Sequence, residues 1–371
     1  MSFPKLNIDC SKILHNAKFL IEQLALKNVS VTPVTKSCLG HPIIAHILID
    51  AGASMLADSR VENIQRMTRY GITVPKMLIR TPMLSQVASV VMYCDISVNT
   101  EVQVIQRLSR FAKQAKTVHG VIIMVELGDL REGVMPNRII GFIRKIIHLP
   151  NIIIKGIGAN LTCRYGVTPD DNKMRLLSDL ADGIEAVFGI SLEVISGGNS
   201  SSVNWVLANY ERTRVNNLRL GEAIFLGCVP SEQDSIEGLY TDSITLTAEV
   251  IEAKIKPSLP WGNRVVNAFG EKETLQDRGA VSQAILALGR QDVCVTGLQP
   301  PYDMSIVSSS SDHLIIETSE EPLIVGKKVQ FRLDYSAFLS AMSSSSVHKV
   351  FNNYHTREVE WHEVAPVNIL L

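Results

Sequence analysis

Between residue 29 and about residue 227, eight short β-branched runs alternate with stretches of helical periodicity, and no other feature of this 371-residue chain narrows its fold as far. The runs are VSVTPVTK from Val29, ASMLADS from Ala53, KMLIRTP from Lys76, CDISVNT from Cys94, VIIMVELG from Val121, IIIKGIGANLTC from Ile152, LEVISGG from Leu192 and NNLRLGEAIFLG from Asn216. The intervening stretches, such as EVQVIQRLSRFAKQAK and DNKMRLLSDLADGIEAVFG, carry apolar residues near i, i+3, i+4 and i+7. Strands that are apolar almost throughout are covered on both faces, as in all-parallel sheets. The expected class is therefore α/β: a (β/α)8 TIM-type barrel, with an open doubly wound sheet as the alternative. After Gly227 the texture changes to strand-like runs without helices between them, ITLTAEVIEAKIKP, RVVNAFG, AILALG, MSIVSS, HLIIET and KKVQFRLDY, which predicts a C-terminal all-β domain. The expected domains are 1–235 and 236–371, joined through a linker at 229–242, with the first strand (4–10) pairing with the β domain.

Composition excludes several function classes. Lys plus Arg number 36 and Asp plus Glu 37, so no basic field exists to hold nucleic acid or anionic lipid, and the expected partner is a small molecule. A bilayer span needs roughly 18 uninterrupted apolar residues; the best run, Ile139–Ile157, is broken by Arg144, Lys145, His148, Pro150, Asn151 and Lys155. The first residues lack the basic start, apolar stretch and small-residue cleavage site of a secretion signal, which predicts a cytoplasmic protein. Six widely spaced cysteines without C-x-x-C or a histidine at ligand spacing predict reduced, mostly buried thiols and no metal site.

Barrel chemistry gathers at the C-terminal ends of strands. Lys36 closes the apolar run VTPVTKS, where a desolvated amine can serve as a Schiff-base former; a solvated lysine at a strand end is the plainer alternative. ISGGNSSSVNWVL sets Gly197, Gly198, Asn199 and Ser200 between a strand and a helix start, where backbone N–H groups and hydroxyls can hold phosphate or simply form a capped turn. Arg219 lies mid-strand in apolar surroundings, and its simplest partner would be a strand-end carboxylate such as Asp129 or Glu126. An amine, a phosphate site and a buried guanidinium together point to pyridoxal phosphate.

The tracts VTK at Lys36, ADSR at Asp58, MVELGDLREG, GANLTC, ISGGNSSS, NNLRLGEAI, ALGRQD and SSDH resemble the fold-type III pyridoxal-phosphate enzymes of the alanine racemase family, most closely their ornithine racemase branch. The resemblance runs from about residue 4 to 343. It implies that Lys36 holds the cofactor as an internal aldimine and acts as one of two bases. It further implies that Arg219 contacts the pyridine nitrogen, and that Arg131 lies near the phenolic oxygen or the substrate carboxylate. Asn160 would flank the ring where alanine racemases carry His, with Asn199, Ser200, Gly221 and Glu222 around the phosphate. The implied activity is racemisation of an amino acid, ornithine or another basic one, by two-base α-proton transfer in a homodimer with shared active sites. An alanine or broad-specificity racemase, or a fold-type III decarboxylase or lyase, is the alternative.

Two positions depart from the family pattern. The tyrosine that serves as second base in alanine racemases is matched by Phe269 in RVVNAFGEKE, and the tyrosine four residues beyond the family's lysine is Gly40 here. Another second base is therefore expected, with His313 or Asp312 of SSDH as candidates; a hydrogen-bonded β-domain histidine is the competing account of His313. Asp292, Asp312 and Glu222 are the acidic groups available to a cationic substrate side chain.

Overall fold

The computed structural model describes residues 3–209, 213–229, 235–270, 276–319 and 321–353. Two compact units form: residues 10–241, and the residues up to Asp9 together with the described ones from Asp242 onward. Strand β1 (Lys5–Asp9) belongs to the second.

The first unit holds eight parallel strands, β2 (Ser30–Pro33), β3 (Leu56–Asp58), β4 (Lys76–Leu78), β5 (Ile96–Asn99), β6 (His119–Met124), β7 (Ile152–Gly158), β8 (Val194–Ser196) and β9 (Asn217–Leu220). Their order is β2-β9-β8-β7-β6-β5-β4-β3, and a parallel bridge between Val34 and Ala57 brings the two ends together, so the sheet is a nearly closed barrel with helices outside. One run from the sequence divides: NNLRLGEAIFLG is strand only to Leu220, and Glu222–Leu226 is a helix. Gly221 marks the change, as a helix N-cap.

Val34, Ala57, Met77, Ile96, Val98, Ile122 and Met124 form a buried cluster drawn from successive strands. Burying a side chain of the larger aliphatic type contributes roughly 1.5–3 kcal/mol relative to exposure, and the barrel is thus filled rather than hollow. Gly156 allows β7 to approach β8, since a Cβ there would lie 1.8 Å from the Val194 carbonyl oxygen.

In the second unit, β10 (Ile244–Pro257) pairs antiparallel with β11 (Ala280–Leu286), and β12 (Leu298–Gln299), β13 (Met304–Ser309), β14 (Leu314–Thr318) and β15 (Lys328–Leu333) complete the order β12-β15-β10-β11-β14-β13. β1 runs antiparallel to β10 and parallel to β16 (His348–Asn352). Two expectations for this half fail. RVVNAFG is not a strand; residues 264–270 are exposed coil and turn, and Gly270 takes a left-handed conformation. Tyr335–Ser343 is a helix, capped by Asp334, whose carboxylate accepts the Ala337 N–H, and it buries Ala337, Phe338, Ala341 and Met342 at helical spacing. No described helix is long and apolar enough to cross a membrane.

Candidate active site

Lys36 follows β2 at the C-terminal end of the barrel, and the residue before it is pinned by a buried carboxylate. Thr35 donates its hydroxyl to Asp58 Oδ2 at 2.7 Å and its N–H to the Ala57 carbonyl at 2.8 Å. Asp58, at the end of β3 and fully buried, also accepts the Arg60 N–H at 2.9 Å and the Asn63 amide at 3.0 Å. Burial raises the Asp58 pKa, and the bonds from Thr35, Arg60 and Asn63 work against that rise. Lys36 itself is half-buried. Desolvation holds its amine below the ordinary lysine range, and Arg131 pushes the same way, while Cys163, Asp58 and Glu222 oppose. The backbone then turns through Leu39 and Gly40, both in the left-handed region. A Cβ on Gly40 would sit 2.7 Å from the Asn63 carbonyl oxygen, so this turn has no space for a side chain where the family carries tyrosine.

Arg219, on β9 and 5% exposed, donates to Ser196 Oγ and to the Ala159 carbonyl, the latter at 2.7 Å. Burial lowers its pKa to about 10. The carboxylates expected to pair with it are taken up elsewhere, which corrects that expectation. Glu126 accepts the Gly128 and Leu130 N–H groups at 2.6 and 2.9 Å. Asp129 accepts four backbone N–H groups, from Cys163, Arg164, Tyr165 and Val167, at 2.9–3.3 Å. Burial alone would raise the Asp129 pKa, but those four bonds leave it lowered. The loop after β6 is thereby tied to the loop after β7. Arg131 extends from it, paired through Nε and Nη2 with Glu132.

Asn199 knits the next two loops. Its amide nitrogen donates to the Leu161 carbonyl at 2.9 Å, Asn160 Oδ1 at 3.2 Å and Cys163 Sγ at 3.4 Å, and its Oδ1 accepts the Ser201 N–H at 2.8 Å. Ser200 Oγ accepts the Ala223 N–H at 3.1 Å, which draws the loop after β8 onto the turn at Gly221 and Glu222. Lys36, Arg131, Asn160, Asn199, Ser200, Arg219, Gly221 and Glu222 therefore lie at one end of one barrel. Three polar atoms there are inaccessible to water and lack a hydrogen-bond partner: Ser37 Oγ, Asn160 Nδ2 and Ser201 Oγ. Unsatisfied buried polar atoms are costly. Clustered hydroxyl and amide groups of this kind fit a ligand with phosphate and ring-hydroxyl oxygens.

The β-unit candidates are engaged locally. His313 and Asp312 form an exposed pair, Nδ1 to Oδ1 at 2.7 Å, beside Ser310 in the turn between β13 and β14. Asp292 accepts the Gly289 N–H at 2.9 Å. Phe269 lies under the Arg290 guanidinium, 3.9 Å from ring centroid to Cζ. The sequence pattern did not single out Cys163: among six thiols expected to be mostly buried, it is the one exposed cysteine and sits within electrostatic reach of Lys36, Arg131 and Arg219. Its place three residues beyond Asn160 in GANLTC was the available signal.

Residues 8–228 match the family model described as alanine racemase, N-terminal domain. The chain is 39% identical to the ornithine racemase of Acetoanaerobium sticklandii over 94% of its own length and 99% of that protein. It is 35% identical to the lysine racemase of Thermotoga maritima, covering 95% of this chain and 99% of the relative. Among solved structures, alanine racemase from Streptomyces coelicolor A3(2) superposes with a TM-score of 0.73 at 16% identity, covering 95% of this chain and 98% of that one. D-threonine aldolase from Filomicrobium marinum shares the fold at a TM-score of 0.72 and 15% identity, covering 92% and 88%. A barrel that carries its lysine after β2 and its buried arginine on β9, and a match of this extent, together establish that the chain belongs to the alanine racemase family.

Proposed function

We propose that this chain is a pyridoxal-phosphate-dependent amino-acid racemase whose substrate carries a cationic side chain, of the ornithine and lysine class. The observation that carries the proposal is the set of unsatisfied polar atoms beside a desolvated Lys36 and a buried Arg219. Relatives named as ornithine and lysine racemases, matched over nearly their whole length, support the substrate class.

Lys36 would hold the cofactor covalently through its amine, whose pKa burial lowers, which favours the neutral, nucleophilic form. Arg219 would face the pyridine nitrogen. A guanidinium has donors and no acceptor, so it keeps that nitrogen unprotonated. Asn160 would flank the ring, and Asn199, Ser200, Gly221 and the Glu222 N–H would surround the phosphate. Arg131, steadied by Glu132, would take the phenolic oxygen or the substrate carboxylate. Bound there, pyridoxal phosphate supplies an electron-withdrawing ring that stabilises negative charge at Cα. Lys36 then removes or returns the α-proton from its own side of the substrate. Glu222, whose carboxylate Lys36 senses, adds negative charge to a site that must admit a substrate with a cationic side chain. A cytoplasmic homodimer with shared active sites completes the reading; Trp261, Val265 and Tyr302, each more than 80% exposed in the single chain, are the kind of side chains such an interface covers.

The test is turnover of the cofactor-loaded enzyme against a panel of L- and D-amino acids, with products separated by chiral chromatography. Interconversion of the two ornithine or lysine enantiomers at rates exceeding those for alanine is expected, together with loss of the visible cofactor band in Lys36→Ala. Release of carbon dioxide or of an aldehyde in place of the opposite enantiomer would replace the racemase by a decarboxylase or lyase.

A further inference from the structure

Racemisation needs a proton carrier on each side of Cα, and the barrel holds a second group able to act as one. We propose that Cys163 is the second acid–base residue, the proton carrier on the side of the substrate opposite Lys36. This rests on the racemase reading and names a residue that reading leaves open.

Four observations support it. The family's tyrosine is replaced by Phe269, which has no proton to exchange, and the turn at Gly40 excludes any other side chain there. Cys163 is exposed, whereas Cys10, Cys38 and Cys94 are buried. Its position is built rather than incidental: the Cys163 N–H is held by Asp129 at 3.0 Å, and Sγ accepts from Asn199 Nδ2 at 3.4 Å. The same Asn199 orders the turn containing Ser201, a 5% exposed residue whose hydroxyl is unsatisfied, and it bonds Asn160, whose amide nitrogen is also unsatisfied. The thiol thus stands beside groups that await a ligand, within electrostatic reach of Lys36, Arg131 and Arg219.

The proton balance closes without a further reactant. With one enantiomer, the Cys163 thiolate takes the α-proton, the bonding pair stays at Cα, and the Lys36 ammonium delivers its proton to the other side. With the opposite enantiomer, the Lys36 amine takes the proton and the Cys163 thiol delivers one. Each turnover leaves the two groups in the protonation states that the reverse turnover requires.

The experiment uses the holoenzyme and its Cys163→Ala and Cys163→Ser variants in deuterium oxide, with L-ornithine and D-ornithine supplied separately. Racemisation is expected to fall about 10²–10⁴-fold in both variants, with the visible cofactor band unchanged. α-Deuterium exchange without inversion should persist for the one enantiomer served by Lys36 and vanish for the other. Racemisation within about threefold of the parent, or equal loss of exchange from both enantiomers with the band intact, overturns the assignment. So does a loss confined to His313→Ala or Tyr165→Phe. Iodoacetate labelling read by peptide mass gives an answer independent of turnover: Cys163 should be carboxymethylated before Cys10, Cys38 and Cys94, and ornithine should slow it. Indifference of Cys163 labelling to ornithine counts against the proposal. If the parent exchanges neither enantiomer although the cofactor band forms, the racemase reading itself falls, and this assignment with it.

Discussion

At the scale of single residues, the proposed site places ordinary groups where water is scarce. Lys36 is a common amine whose pKa is lowered by burial and by the nearby Arg131 cation. Its neutral form, which condenses with an aldehyde, should therefore persist to lower pH than that of free lysine. Mixing cofactor-free protein with pyridoxal phosphate across a pH series is expected to show band formation with a midpoint below 10.5, the ordinary lysine value. Arg131→Gln removes the one charged group that lowers it, so the midpoint should move upward; an unmoved midpoint would mean that burial alone governs the lowering. The placement of Lys36 after the first barrel strand and of Arg219 within the last was legible from type and position, a charged residue closing or interrupting an apolar run. The exposure of Cys163 was not, because a thiol reads as core until its surroundings are seen.

At the scale of elements, loops tied by backbone amides carry the site. The Asp129 carboxylate collects four N–H groups from the following loop, and Glu126 two from its own. Gly133 lets the β6 loop close on itself: its φ is +159°, and a Cβ would fall 2.4 Å from the Glu126 nitrogen. Gly133→Ala should destabilise the fold by roughly 1–3 kcal/mol in urea unfolding and slow turnover through displacement of Arg131; an unchanged unfolding midpoint would show that the loop has room to shift. The strands of the barrel were legible because their runs are apolar and evenly spaced. The helix at Tyr335–Ser343 was missed, although Asp334 is a recognisable cap, because its apolar residues follow directly on a strand and share its composition. RVVNAFG misled for the opposite reason: β-branched residues raise strand propensity, yet Val265 is 83% exposed and pairs with no described strand.

At the scale of the whole molecule, acid should act on buried imidazole. His119 is 1% exposed at the start of β6, 2.8 Å from Ser97 Oγ, and burial pushes its pKa down to about 4 from 6.5. A depressed folded-state pKa means that the unfolded chain binds more protons between these values, so the contribution is fully present above pH 6.5 and is lost as the pH falls toward 4. Its size is of order 3 kcal/mol. Urea unfolding at pH 7 and at pH 5 should show a smaller pH dependence in His119→Gln than in the parent; equal dependence would assign the effect to other groups, such as His41, also lowered to about 4 by burial and by Arg66. The sequence alone determined that eight strands alternate with helices, that a β-rich half follows, and that a lysine and a glycine-serine turn stand at strand ends and an arginine within a strand, because period, run length and turn residues are local properties of a chain. Only the tertiary structure decided which carboxylates are already taken up by backbone amides, which polar atoms remain unsatisfied, and that one cysteine of six is exposed within electrostatic reach of the cations. Those are relations between loops far apart in sequence, and barrel closure brings them together at one rim.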